Sequence, residues 1–175
     1  MAEQIIHSLL LALHNIALVG CAAAPFYNAK LVNTRSQYGP KLHYELDKVV
    51  EETLQGNAPY CIGFITALWV TGILMPLNHY LFNGSFRELP TIAWTAVILK
   101  LVCVAAMMVF MGVIFLNLNP RLRVLFAKFS PTEAPESSLV KEFFATRARR
   151  KRLCDICLYF AIGVLVSSAF IGFAT

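Results

Sequence analysis

Four long stretches of this chain are almost free of charge: Ile5 to Tyr27, Tyr60 to Phe82, Thr91 to Leu118 and Leu153 to Phe173. About 20 apolar residues are enough for a helix to span the hydrocarbon core of a bilayer, and each stretch reaches that length. Lipid offers no partners to open backbone groups, so such segments are expected to be helices. A β-barrel would show shorter segments of alternating polarity. With 58% of its residues hydrophobic and 14% charged, the chain could not cover the surface of an ordinary soluble domain. The expectation is an all-α integral membrane protein: an antiparallel four-transmembrane-helix bundle forming a single membrane domain over residues 1–175.

The first stretch does not read as a cleaved signal peptide. Met1 to Ile6 carries only Glu3 as a charge, and Cys21-Ala22-Ala23-Ala24 is a poor cleavage site. Basic residues concentrate in two connections. Lys30, Arg35, Lys41 and Lys48 follow the first span; Arg121, Arg123, Lys128, Lys141, Arg147, Arg149, Arg150, Lys151 and Arg152 precede the fourth. The connection between Asn83 and Leu89 has only Arg87. Excess Lys and Arg marks the cytoplasmic side, which puts both termini outside. In this setting the run from Arg147 to Arg152 reads as a juxtamembrane anchor meeting anionic lipid, not as a nucleic-acid site. The cysteine count is five, and Cys21, Cys61 and Cys103 lie within spans, so no disulfide framework is expected.

Between the first two spans, Leu42, Leu46, Val49, Val50 and Thr53 recur at helical spacing, with Glu45, Lys48, Glu51 and Glu52 opposite. This predicts a short cytoplasmic amphipathic helix, stopped by Gly56. Asn57 is the expected N-cap of the second span, with Pro59 in its first turn. Pro76 suggests a kink, Asn83-Gly84-Ser85 an outer turn and Pro90 the start of the third span. Asn119-Pro120 is expected to end the third span. A polar loop from Pro131 to Ser138 follows, and from Leu139 the chain is helix-compatible into the fourth span.

Ionisable groups inside spans are the best functional clues. A charge at the bilayer centre costs about 3 kcal/mol or more, so such groups usually face the bundle interior. His14 and Lys100 are the two candidates, about 13 Å and about 15 Å below the starts of helices that enter from the same side. A neutral histidine can ligate a metal, including haem iron, and a lysine ammonium can hold a propionate. The alternative is a polar pair linking two helices. His7 and His14 fall on nearly the same helix face, and His79 ends the second span. His7 and His79 can therefore meet and bind copper or zinc, or simply face headgroups. Cys154-Asp155-Ile156-Cys157 has the CxxC spacing, read here as packing more than as a redox or metal site, with Asp155 paired to a neighbouring base. Met107, Met108 and Met111 cluster on the third span and suit copper(I) or plain packing. His43 reads as a surface group. There is no P-loop, dinucleotide fingerprint, HExxH motif or nucleophile elbow.

The segment Ala12-Leu13-His14-Asn15-Ile16-Ala17-Leu18-Val19-Gly20 and the pairing of Trp94 with Leu99-Lys100-Leu101 resemble the first and third helices of the superfamily of HemJ-type protoporphyrinogen oxidases and CopD-type copper-resistance proteins. The Lys30 to Leu54 segment is similar to the cytoplasmic connection of HemJ-type proteins. The sequence departs from that pattern at Met111, where a histidine is usual, and at Cys154 to Cys157, where an Asn-Glu-Pro-like stretch is usual. The resemblance implies a haem b-binding membrane protein with His14 as ligand and Lys100 beside it, acting in electron transfer or porphyrin redox chemistry. Its expected partners are the lipid bilayer, a porphyrin or a quinone, in a bacterial inner membrane. Two alternatives stand beside it. One is a copper-handling protein using His7, His14, His79 and the methionines. The other is a structural or assembly subunit of a larger membrane complex or homo-oligomer.

Overall fold

A computed structural model describes residues 1–39, 41–86, 88–130 and 136–172. Arg87, the expected polar loop from Pro131, and Phe173 at the expected end of the fourth span lie outside or run beyond these residues. The described chain contains helices and no strand. Helix α1 is Ala2–Ser36, α2 Tyr44–Gly56, α3 Ala58–Asn83, α4 Thr91–Val113, α5 Asn119–Phe126 and α6 Ser137–Gly172. Four helical runs are long and apolar enough to cross a membrane; the first three contain the first three charge-poor stretches, and the fourth covers the last stretch as far as Ile171.

The helices outrun those stretches. At about 1.5 Å per residue, the 35 residues of α1 and the 36 of α6 are each more than 50 Å long, against a hydrocarbon thickness of about 30 Å. Local signals set several of the boundaries. Gly84 takes φ 72° and ends α3, its N–H bonding Tyr80 O at 2.8 Å, a left-handed cap that a side chain would strain. Pro90 precedes the first turn of α4, where its missing N–H costs nothing.

Two boundary expectations need correction. Asn57 does stand between α2 and α3, but its side chain makes no cap; Asn57 Nδ2 instead donates to Asn28 Oδ1 on α1 at 3.0 Å. Asn119-Pro120 does not end the third long helix. A π-helical turn, Ile114–Leu118, carries α4 into α5, with Pro120 in the first turn of α5. The wider turn changes which carbonyls face which donors, so a proline without an N–H fits there without breaking the run.

Helix α1 packs on α3 and α6, and α6 packs on α4. Their shared core contains Ala17, Leu18, Cys21 and Ala22 of α1, Ile65 and Leu68 of α3, Cys103, Val104 and Met107 of α4, and Ala161 and Val164 of α6. Small residues let the helices approach. A Cβ on Gly20 would stand 2.5 Å from the Phe64 ring, so a side chain there would have to push that ring aside. Large apolar side chains such as Leu9, Val19, Leu81, Val109 and Tyr159 point outward. Beyond this core, α2, α5 and the first turns of α6 close over the basic end. Leu122, Leu125, Phe129 and Phe143 form one aromatic-rich cluster, and Val32, Val50 and Leu54 another.

Candidate functional site

The fold brings His14 and Lys100 together. Lys100 Nζ on α4 lies 3.0 Å from His14 Nε2 on α1, and His14 Nδ1 lies 2.8 Å from Thr71 Oγ1 on α3. The three side chains tie three helices at one level. The Thr71 hydroxyl has one proton, and it sits 2.6 Å from Ala67 O, which takes it. The hydroxyl oxygen must then accept from His14, so the imidazole carries its hydrogen on Nδ1 and presents the Nε2 lone pair to the lysine. A donor fixed at one ring nitrogen is what a metal-ligating histidine needs at the other. His14 is buried and Lys100 half-buried, and the space beside the ring is shared with Gly72. Among the described residues, no carboxylate forms an ion pair with Lys100.

The other histidines are not gathered with this pair. His79 Nδ1 lies 3.1 Å from Glu3 Oε1, and Asn83 Nδ2 donates to the same carboxylate at 2.8 Å. Asn78 Nδ2 donates to Glu3 O at 3.3 Å. The side chain that meets His79 across the helices is thus Glu3, one turn before His7. Among the described residues, no three His, Cys, Asp or Glu side chains come together closely enough to hold a metal ion. The methionines separate too. Met107 is in the core, Met108 Sδ faces Trp69 Nε1 at 3.1 Å on the outer surface, and Met111 turns toward a cavity at the basic end.

No family model, no curated protein and no solved structure matches this chain. The candidate sites therefore stand on this chain's own residues.

The largest polar assembly is one that sequence reasoning missed. Asp47 on α2 accepts from Arg35 Nε at 2.5 Å and Nη2 at 2.8 Å, and from Arg147 Nη1 on α6. Glu51, one turn on, receives both Nη groups of Arg150 at 2.6 Å. Arg35 also donates to the carbonyls of Gly39 and Lys41, fastening the connection from α1 to α2. Asp47 has no exposed surface and Glu51, Arg150 and Arg35 have 3% or less, so these charges are inside the protein. Burial alone would raise the Asp47 carboxyl. Hydrogen bonds from Arg35, Arg147 and the His43 N–H, with the Arg147 charge, outweigh it and hold Asp47 below the usual carboxylate range.

This overturns two sequence expectations. Glu51 was expected on the polar side of α2; it lies on the buried side with Asp47, Val50 and Leu54, because Arg150 neutralises it there. The run from Arg147 to Arg152 is not wholly a lipid-facing anchor. Arg147 and Arg150 point inward, while Arg149 and Arg152 are exposed. Asp155 does find a basic neighbour, Lys151, at 3.0 Å.

Proposed function

We propose that this protein is an integral membrane protein, an antiparallel four-helix bundle with both termini outside, whose Lys100–His14–Thr71 chain is a haem b or porphyrin site serving electron transfer or porphyrin redox chemistry. The carrying observation is that the one lysine and the one histidine deep in the apolar stretches meet at 3.0 Å, with the ring held in the tautomer that leaves Nε2 basic. End-to-end contacts support the antiparallel order. Glu3 at the start of α1 meets Asn83 at the end of α3, and Asn28 late in α1 meets Asn57 at the start of α3. The basic connections support the orientation. The bacterial inner membrane rests on the HemJ/CopD resemblance alone.

The donor set fits such a group chemically. His14 would hold the group's iron through Nε2, and Lys100 would turn from that lone pair to pair with a propionate or a substrate carboxylate. When bound, the haem supplies the one-electron chemistry. The protein orients the imidazole through Thr71, keeps water from it by burial, and holds a positive charge where an acid group enters.

Absorption spectra of detergent-purified protein, oxidised and dithionite-reduced, test this reading. Wild type from haem-supplied cells should show a b-type spectrum that His14→Ala abolishes and Lys100→Met weakens. A featureless wild-type spectrum sinks it. A second reading is favoured by one observation: both ring nitrogens of His14 already have partners within the protein. On that reading the chain is a polar lock in a subunit of a larger membrane complex. Co-purification with such a complex, unchanged by His14→Ala, would support it.

A further inference from the structure

A cavity of about 40 Å³ lies where the bundle core meets the ion-pair assembly, and its largely apolar wall carries several sulfur side chains. Cys21 of α1, Cys61 of α3, and Cys154 and Cys157 of α6 line it, with Met111 of α4. Thus four of the five cysteines, contributed by three helices and all free thiols, reach one space. The fifth, Cys103, packs elsewhere, its Sγ 3.2 Å from where a Cβ on Gly163 would be. No carboxylate or imidazole lines the cavity. Its polar wall is Asn28, Asn119 and Arg150.

Thiolate and thioether donors select soft ions, and a wall without carboxylates is a poor host for calcium or magnesium. Zinc takes four ligands in a tetrahedron, and no three cysteines stand close enough together for that. A monovalent d¹⁰ ion is satisfied by two sulfurs. Cys154 and Cys157 are three residues apart on α6 and therefore neighbours on one helix face. Charge agrees with this choice. Among the described residues, the one charged group on the cavity wall is a cation, Arg150, one turn before Cys154. A monovalent ion between two thiolates carries one negative charge.

We propose that this cavity binds one soft monovalent metal ion of the Cu(I) class between the sulfurs of Cys154 and Cys157, with Met111 as a weaker third donor. Binding replaces two thiol protons, which leave to solvent, and forms two metal–sulfur bonds with no change of oxidation state. The Arg150 guanidinium on the cavity wall stabilises the anionic product. This site is independent of the His14 reading and uses none of its residues.

The test is anaerobic titration of the full-length protein in detergent with Cu(I), in competition with a chromogenic Cu(I) chelator. One equivalent should bind per chain, with near-ultraviolet thiolate-to-copper absorption. Outer-shell losses alone cost about 10- to 100-fold in metal affinity, so Cys154→Ser and Cys157→Ser should each cost roughly a hundredfold or more. Met111→Leu should cost less, and Cys103→Ser and His14→Ala nothing. A wild type that cannot compete for Cu(I), or full affinity in Cys154→Ser/Cys157→Ser, overturns the proposal. Should the serine variants fail to fold, copper K-edge absorption of the loaded wild type decides. Sulfur neighbours in low coordination number support the site, and nitrogen neighbours overturn it.

Discussion

At the basic end, Arg35, Asp47, Glu51, Arg147 and Arg150 bring charges from three helices into the interior and pair them, three guanidiniums against two carboxylates. At mid-helix, Lys100, His14 and Thr71 tie three helices with at most one formal charge and no carboxylate. Both assemblies are polar groups removed from solvent, but they fail differently. Removing one member of a buried ion pair leaves an uncompensated charge, which costs about 3–5 kcal/mol. Removing one member of a side-chain hydrogen bond between helices in lipid costs on average about 0.6 kcal/mol. By these magnitudes the buried ion pairs of the basic end weigh more in the stability of the fold than the mid-helix chain does.

Asp47→Ala is the sharpest way to break that contrast. It strands both Arg35 and Arg147, and should lower stability by about 3–5 kcal/mol in unfolding measured in mixed micelles. A loss as small as that of a surface pair would remove the distinction. Acid titration sharpens the same point. Asp47 has a folded pKa below its ordinary value of 3.8, so its stabilisation is complete above that pH and lost as pH falls through the lower folded value. The stability gap between wild type and Asp47→Asn should therefore be constant near neutrality and narrow below about pH 3.8. A gap that widens in acid would contradict the assignment. Thr71→Val, which frees His14 Nδ1, should cost only about 0.6–1.7 kcal/mol while shifting any haem spectrum, read by the same unfolding assay and by absorption. The smallest effect is expected at Arg121 and Glu142, paired at 2.6 Å but 60% and 41% exposed. Arg121→Gln should change stability by less than about 1 kcal/mol and only at low salt.

The same contrast explains what could be read from the sequence. The four long helices were legible because their residues are uniformly apolar over lengths that few other structures accept. His14 and Lys100 were legible because a polar group stands out against such a background, and depth along two helices placed them level. The assembly at the basic end was hidden. Asp47 and Glu51 sit among other acidic residues, and the partners of α2 lie 99 and 100 residues away on α6. A trace was available. Asp47, Val50, Glu51 and Leu54 follow the spacing of one helix face, and Arg147 and Arg150 stand one turn apart. Reading that face as buried requires knowing that the arginines arrive to neutralise it, and only the folded chain supplies that contact. Nor could spacing along α1 reveal that Glu3 would meet His79.

The π-helical turn Ile114–Leu118 takes up about one residue more than an α-helical turn does, because its bonds run from i to i+5. Losing a single residue there would restore a regular α-helix and leave Leu122 and Leu125 still facing Phe143. The same loss in the regular helix on either side would turn everything after it by about 100°. One-codon deletions should therefore pass within this turn and fail beside it, which makes the widened turn the place where the gene can shorten without the protein losing its packing.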